Sequence, residues 1–136
     1  MPETGDIFPL VPLWPQQVHA GFPSPGDDWK EPPLNLHDLV VPHPLSSYFI
    51  RVSGDSMRGA CIRAGDIVVV DRALTAAHRK IVVARVGEHL LLKRVQVQQR
   101  KVFLHADPPE MPAIELNQQA DMEIWGVVTY CVHRVR

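Results

Sequence analysis

The sequence predicts a mostly β domain that follows an extended, proline-rich N-terminal arm. Ten of the 13 prolines lie at or before Pro44, and proline disfavours helices and paired strands because it lacks a backbone N–H. After Leu45, short runs of valine, leucine and isoleucine are separated by glycine and aspartate, which is typical of β-sheet proteins. With 136 residues, the chain has the size of a single domain. We therefore divide it into an arm, residues 1–44, and one compact β domain, residues 45–136.

The arm is expected to be irregular or polyproline-like. A short helix is expected near Asn35 to Val40, where the Asn35 side chain can cap it. The arm carries six acidic residues against Lys30 alone, a net charge of −5, whereas the rest has 13 basic and 9 acidic residues, a net charge of +4. A charge of +4 is too small to indicate nucleic-acid binding, so no direct sequence-specific DNA binding is expected.

Six runs in the β domain have the length and composition of strands: residues 48–52, 66–71, 80–86, 89–95, 101–105 and 122–132. Gly87 lies between two of these runs, at the first central position of a two-residue turn, which favours a type II′ hairpin. The strands on either side of Gly87 should therefore pair antiparallel. In this half of the chain, only the segment from Asp55 to Arg63 has a helical pattern.

Composition excludes several classes of protein. Hydrophobic residues make up 46% and charged residues 21%, so the chain is not disordered by composition. No run approaches the roughly 18 apolar residues of a membrane helix, and the acidic, proline-broken start does not resemble a signal peptide. We therefore expect a cytoplasmic protein that does not contact a membrane.

Cysteine and histidine usage gives no indication of a metal or cofactor. In the cytosol, Cys61 and Cys131 are expected to be reduced thiols. Cys61 also has no patterned base beside it and is a poor candidate for a nucleophile. The seven histidines lack the spacing of a metal site. We expect no metal and no cofactor.

Ser56 is the first candidate for a catalytic residue. It follows a strand and a glycine-containing turn in YFIRVSGDSM, at the start of the predicted short helix. A serine nucleophile at such a turn lies close to free backbone N–H groups, which can bind an oxyanion. The alternative is that Asp55 or Ser56 only caps the helix.

Lys93 is the second candidate. Strand alternation places it on one face with Leu91 and Val95 in HLLLKRV. Apolar surroundings favour the neutral amine, which a lysine needs in order to act as a general base. The alternative is an edge-strand lysine whose amine extends to solvent.

Together these segments resemble the LexA/UmuD family of self-cleaving Ser-Lys peptidases. The resemblance runs from about His19 to Val135, through AGFPSPGDDW, HPLSSYFIRVSGDSM, GDIVVVDRALTAAHRKIVVARV, LLLKRV and IWGVVTYCV. It implies a LexA/signal-peptidase-like β domain of short, largely antiparallel strands. On matching positions it implies that Ser56 is the nucleophile and Lys93 the general base, with the oxyanion site at the backbone amides of Ser56 and Met57.

The resemblance also implies that the substrate is the protein's own arm, which the family cleaves just before a glycine. The matching bond is Ala20–Gly21 in HAGFPSP. The family's mutagenesis proteins commonly place cysteine before this glycine and its repressors place alanine, so Ala20 follows the repressor pattern. In either case the side chain is small and suits a narrow specificity pocket.

The partners implied by the resemblance belong to the SOS response. The RecA filament on single-stranded DNA would stimulate cleavage, and the processed chain would join a UmuC-type polymerase subunit in translesion synthesis and mutagenesis. The resemblance implies a homodimer, and the late apolar strand IWGVVTYCV, which needs covering, favours one.

Three other interpretations remain. A LexA-like repressor would need a DNA-binding domain, but only 20 residues precede the Ala20–Gly21 bond, too few for a helix-turn-helix. A signal-peptidase-like enzyme would be expected to have a membrane segment. A catalytically silent binding partner is the third, although Ser56 and Lys93 are both present.

Overall fold

The computed structural model describes residues 11–22, 33–117 and 120–136. Expectations for residues 1–10 and 23–32 of the arm lie outside the described residues. The chain divides into two compact units, Met1–Leu39 and Val40–Arg136. The predicted division into an arm and a domain between residues 44 and 45 stays a prediction.

The described part of the first unit has little regular structure. Residues 12–22 contain no helix or strand, as expected for a segment rich in proline. The helix α1 spans Leu36–Val40, and its N-terminus is capped by Asn35, whose Oδ1 accepts a hydrogen bond from the Asp38 amide at 3.2 Å. The short helix expected here, with Asn35 as its cap, is confirmed.

The second unit is built on one antiparallel sheet of seven strands in the order β1-β2-β7-β3-β4-β5-β6. This confirms the mostly β fold class. The strand β4 continues three residues beyond its predicted end, and the two-residue β6 was not predicted. The strands are β1 (Ser47–Arg51), β2 (Ile67–Asp71), β3 (Ile81–Val86), β4 (His89–Gln98), β5 (Lys101–His105), β6 (Ile114–Glu115) and β7 (Met122–Val132).

Two tight turns set the register of the central hairpins. Gly87 has φ +59° between Val86 and His89, which pair with each other, so the predicted antiparallel hairpin is confirmed. The next turn places Gln99 and Arg100 at φ +51° and +65°, the left-handed conformation that a two-residue type I′ turn requires at both central positions.

The helix predicted from Asp55 to Arg63 is wrong. The segment forms turns and only one 3₁₀ turn, Arg58–Ala60, which ends at Cys61 in the left-handed conformation with φ +62°. Its backbone is also bonded from outside, because the Gly59 amide donates to the Asp107 carbonyl at 2.7 Å. A helix this short gains too little from its own hydrogen bonds to form without tertiary support, and here a tertiary bond takes one of its amides.

The sheet is apolar on both faces at its centre. One cluster of buried side chains consists of Met57, Ile62, Val68, Val70 and Val83. The second consists of Val82, Ala84, Val95, Leu104 and Val127, and a small third cluster consists of Val40, Val41 and Val69. Successive residues of β3 thus enter different clusters, which explains why the central strands are continuous apolar runs.

No helix within residues 11–22, 33–117 and 120–136 has the length and apolar character needed to cross a bilayer. Cys61 is exposed and Cys131 half-buried, and both are free thiols. The described residues also contain no group of three or more histidine, cysteine or acidic side chains placed to hold a metal ion.

Candidate active site

Ser56 lies near the tip of the connection between β1 and β2. Two hydrogen bonds close the base of this connection: the Val52 amide donates to the Asp66 carbonyl, and the Gly65 amide donates to the Val52 carbonyl, both at 2.8 Å. Gly54 has φ +82°, a conformation that glycine adopts without strain. The side chain of Ser56 is exposed, so a substrate can reach it.

The backbone amides of Ser56 and Met57 donate no hydrogen bond to any residue in the described part of the chain. The amides that follow them are occupied: Arg58 N–H donates to the Asp55 carbonyl at 3.2 Å and Gly59 N–H donates to Asp107. Two adjacent free amides beside an exposed hydroxyl form the kind of donor pair that stabilises an oxyanion.

Met57 anchors this turn in the core. Its side chain is only 1% exposed and belongs to the same cluster as Leu92, the residue before Lys93. Leu92 thus packs with the residue after Ser56, whereas Lys93 lies on the opposite face of β4 because successive strand residues alternate.

Lys93 lies in the middle of β4, directly opposite Val82 of β3. It is half-buried, and Val82 and Val95, on the same face of the sheet, are almost completely buried. Among the described residues no carboxylate lies within ion-pair distance of its amine, in contrast to Lys101, which is 3.9 Å from Glu115. The amine is thus not held in an ion pair within the described part of the chain.

The side chains of Ser56 and Lys93 make no hydrogen bond to each other, nor to any other described residue. In enzymes without substrate, such bonds are often long and shorten only when the substrate binds. The structure does connect the two segments through Asp107, which bonds to the Ser56 carbonyl through its amide at 3.0 Å and to Arg94 through its carboxylate at 2.9 Å. Sequence analysis missed Asp107 and Arg94, because no local pattern reveals a contact between them.

An apolar cleft of about 90 Å³ lies close to both segments. Its walls come from the end of β1 and the residues after it, from β2 and β3, and from the start of β4. It is lined by Ile50, Arg51, Val52, Ser53, Val68, Val83, Leu90, Leu91 and Leu92.

The predicted cleavage bond lies in the irregular segment of residues 12–22. Ala20 and Gly21 are both exposed, and among the described residues no atom beyond the chain neighbours lies within 4 Å of the position that a Cβ would occupy on Gly21. The bond is therefore not protected by secondary structure or by packing.

Two buried carboxylates flank β2. Asp66 accepts from the Arg63 amide at 2.9 Å and lies 2.8 Å from His133 Nδ1, and these hydrogen bonds, the backbone one first, lower its pKa. Asp71 lies 2.6 Å from His43 Nδ1, and this hydrogen bond, with one from Ser46 at 2.7 Å, lowers its pKa. Neither carboxylate is bonded to Ser56 or Lys93, so their role is structural.

The cysteines do not provide an alternative nucleophile of comparable quality. Burial raises the pKa of the Cys131 thiol to about 11, which keeps it protonated and unreactive near neutral pH. Cys61 is exposed, but no histidine or lysine hydrogen-bonds to it in the described part of the chain.

Comparisons with known proteins agree with this fold. Residues 12–129 match the family described as Peptidase S24-like. Protein MucA of Salmonella typhimurium is 40% identical over 121 residues, which cover 88% of this chain and 82% of MucA. Protein ImpA of Shigella flexneri is 35% identical over 134 residues, covering 98% and 90%. The LexA repressor of Shewanella piezotolerans is 32% identical, covering 90% of this chain and 66% of the repressor.

The chain therefore belongs to the Peptidase S24-like family. Membership supports a peptidase of the serine type, related to proteins that cleave themselves.

Proposed function

We propose that this protein is a serine peptidase that cleaves its own arm at Ala20–Gly21, with Ser56 as nucleophile and Lys93 as general base. The observation that carries the proposal is the pair of unbonded amides at Ser56 and Met57 beside an exposed serine hydroxyl. A helix-capping Ser56 would instead accept a hydrogen bond from the Arg58 or Gly59 amide, whereas these amides donate to the carbonyls of Asp55 and Asp107.

The chemistry proceeds in two steps with a complete transfer of protons. Ser56 Oγ attacks the carbonyl carbon of Ala20 while its proton passes to the neutral Lys93 amine. The tetrahedral intermediate then collapses, the bond to the Gly21 nitrogen breaks, and Lys93 returns the proton to the leaving amine. Water, activated by the same lysine, hydrolyses the acyl-enzyme and releases residues 1–20 with a free carboxylate.

The free amides act on the charge that develops during this reaction. The carbonyl oxygen of Ala20 becomes an oxyanion only in the tetrahedral state, so donors placed for it stabilise the transition state more than the substrate. One such donor is worth about a hundredfold to a thousandfold in rate. The amides of Ser56 and Met57 are held in place because Met57 is buried.

The substrate properties of the arm fit the site. An exposed, irregular segment can enter a cleft as an extended strand, and a small residue at Ala20 suits a cleft of about 90 Å³. Ser56 comes 35 positions after Gly21, a length that can span ~115 Å when extended. The length of this segment allows attack within one chain or on a second copy.

In the cell, cleavage serves the SOS response and is stimulated by the RecA filament on single-stranded DNA. The product, residues 21–136, acts as a cytoplasmic homodimer with a UmuC-type polymerase subunit in translesion synthesis. Support comes from the resemblance of nearly the whole chain to the family's mutagenesis proteins.

The dyad is tested by comparing Ser56→Ala with Thr75→Ala, a control that removes an exposed hydroxyl between β2 and β3 and does not alter the lining of the cleft. During incubation of purified protein at alkaline pH, Ser56→Ala should remain full-length and Thr75→Ala should lose its arm at a rate close to wild type. Lys93→Ala should also remain full-length. Arm loss in a pure preparation of folded Ser56→Ala would refute the assignment.

A further inference from the structure

We infer that Arg94 and Asp107 are positioning residues that hold the Ser56 turn in place against the strand carrying Lys93. This inference rests on the proposed function and deepens it. Neither side chain would contact the reacting atoms. Both would fix the position of Ser56 relative to the strand that carries Lys93.

The backbone of Asp107 makes two hydrogen bonds to the Ser56 turn, residues 56–59. Its amide donates to the Ser56 carbonyl at 3.0 Å, and its carbonyl accepts from the Gly59 amide at 2.7 Å. These bonds tie both ends of the segment 56–59 to one residue. The position of Asp107 therefore fixes the orientation of the turn and of the two free amides within it.

Arg94 holds Asp107 through its side chain. Two nitrogens of the guanidinium, Nε and Nη2, donate to Asp107 Oδ2 at 3.1 and 2.9 Å. A third, Nη1, donates to the Arg79 carbonyl at 2.7 Å. The ion pair is about three-quarters buried, with side-chain exposures of 26% and 28%, so it is stronger than a pair on the open surface.

Gly59 makes this close approach possible. A Cβ at this position would lie 2.4 Å from Asp107 Oδ1 and 2.8 Å from the Asp107 carbonyl carbon. Any side chain would push Asp107 away from the turn. The Arg94–Asp107 contact thus requires a residue without a side chain at position 59.

The chain of contacts connects the two catalytic candidates. Arg94 follows Lys93 directly on β4, and its guanidinium leads through Asp107 to the carbonyl of Ser56. Breaking the ion pair frees the turn to shift relative to β4. A displacement of about 1 Å at a reacting group can cost about a hundredfold in rate, so we expect losses between about tenfold and a hundredfold.

The test measures the first-order rate of arm loss in full-length Asp107→Asn, Arg94→Ala, the double variant and Arg94→Lys. Asp107→Asn keeps both backbone bonds and removes the charge. The matched control is Glu123→Gln, which removes an ion pair to Arg85 at 2.9 Å in the same sheet. Circular dichroism and thermal melting establish that each protein is folded at the assay temperature.

We expect Asp107→Asn and Arg94→Ala each to slow cleavage about tenfold to a hundredfold in fully folded protein. The double variant should be no slower than the slower single variant, because the pair acts as a unit. Arg94→Lys, which keeps the charge and one donor, should recover part of the rate. Glu123→Gln should cleave like wild type. The fold-reduction in the cleavage rate of Asp107→Asn and Arg94→Ala should be the same at each pH, since the general base is unchanged.

A wild-type rate in folded Asp107→Asn and Arg94→Ala would overturn the inference while leaving the proposed function intact. So would equal slowing in Glu123→Gln, because the loss would then reflect general destabilisation. If Asp107→Asn fails to fold, the two Arg94 variants provide the test. A wild-type rate of arm loss in both Arg94→Lys and Arg94→Ala would then overturn the inference. A wild-type protein that never cleaves would instead refute the proposed function itself.

Discussion

The chemistry of single residues limits which group can serve as the base beside Ser56. A lysine amine accepts a proton only in its neutral form, whereas an arginine guanidinium stays charged at every accessible pH. Lys93 is half-buried and lies opposite Val82 on the sheet, without a carboxylate partner among the described residues. An amine in this setting can take up the hydroxyl proton and later deliver it to the leaving nitrogen.

A lysine base predicts a specific pH dependence for arm loss. Between about pH 7 and pH 10 the rate should rise, because a general base must be neutral to accept the proton. Lys93→Arg should show no cleavage anywhere in this range, because arginine cannot become neutral. Lys80→Ala, which alters an exposed lysine, should follow the wild-type profile. A flat wild-type profile, or activity in Lys93→Arg, would contradict a lysine base.

At the level of elements, the strands whose positions depend on local sequence pattern could be predicted from the sequence. Six of the seven strands follow from alternation and from bounding glycine and aspartate. The helix from Asp55 to Arg63 was wrong because a tertiary bond to Asp107 outweighed a weak helical pattern. The turn at Gln99 and Arg100 was not predicted, since neither residue type indicates the left-handed conformation that the structure gives it.

The candidate site shows the same difference between features that local sequence indicates and contacts that depend on the path of the chain. Ser56 and Lys93 were proposed from local segments and from the resemblance that these segments carry together, and their assignment stays a prediction. The Arg94–Asp107 pair was not predicted, because its two members are 13 residues apart and meet only after β4 and β5 have paired. Contacts of this kind depend on register and chain path, which periodicity does not specify.

The packing between β2 and β7 predicts the effect of one added methyl group. A Cβ on Gly126 would lie 2.5 Å from Val70 Cγ1, and Val70 is fully buried. Gly126→Ala should lower the free energy of unfolding by about 1–3 kcal/mol through overpacking, measured by chemical denaturation. Combining it with Val70→Ala removes the colliding methyl group, so the double variant should lose less than the two single losses added together. Simple additivity would contradict this contact.

On the scale of the whole molecule, the three clusters of buried side chains found among the described residues all lie within residues 40–136. Asp66 and Asp71 add contacts at the two ends of β2, the second strand of the sheet, Asp66 to His133 and Asp71 to His43. The connection that carries Ser56 therefore leads into a strand that is held at both ends.

These buried carboxylates predict acid sensitivity. Hydrogen bonding lowers the pKa of Asp66 and Asp71 below the usual 3.8, so folding favours their charged forms. The stability they contribute is fully present above their unfolded pKa and is lost as the pH falls through the folded pKa. The melting temperature of wild type should therefore fall below about pH 4, and that of Asp66→Asn should be lower at neutral pH and depend less on acid.

The exposed Asp121, whose side chain is 74% exposed, provides the control. Asp121→Asn should leave the acid dependence of the melting temperature close to that of wild type. If Asp66→Asn loses as much stability on acidification as wild type does, the buried carboxylate does not contribute in this way.

The measurement that tests the central claim most directly is the intact mass of purified wild type and Ser56→Ala after incubation at alkaline pH, with and without RecA filament. The account predicts that wild type alone yields two fragments, residues 1–20 and 21–136, and that the filament accelerates their appearance. Fragments that divide at another bond would contradict the assignment of Ala20–Gly21. No cleavage under any condition, or the same fragments from Ser56→Ala, would contradict the Ser56–Lys93 mechanism.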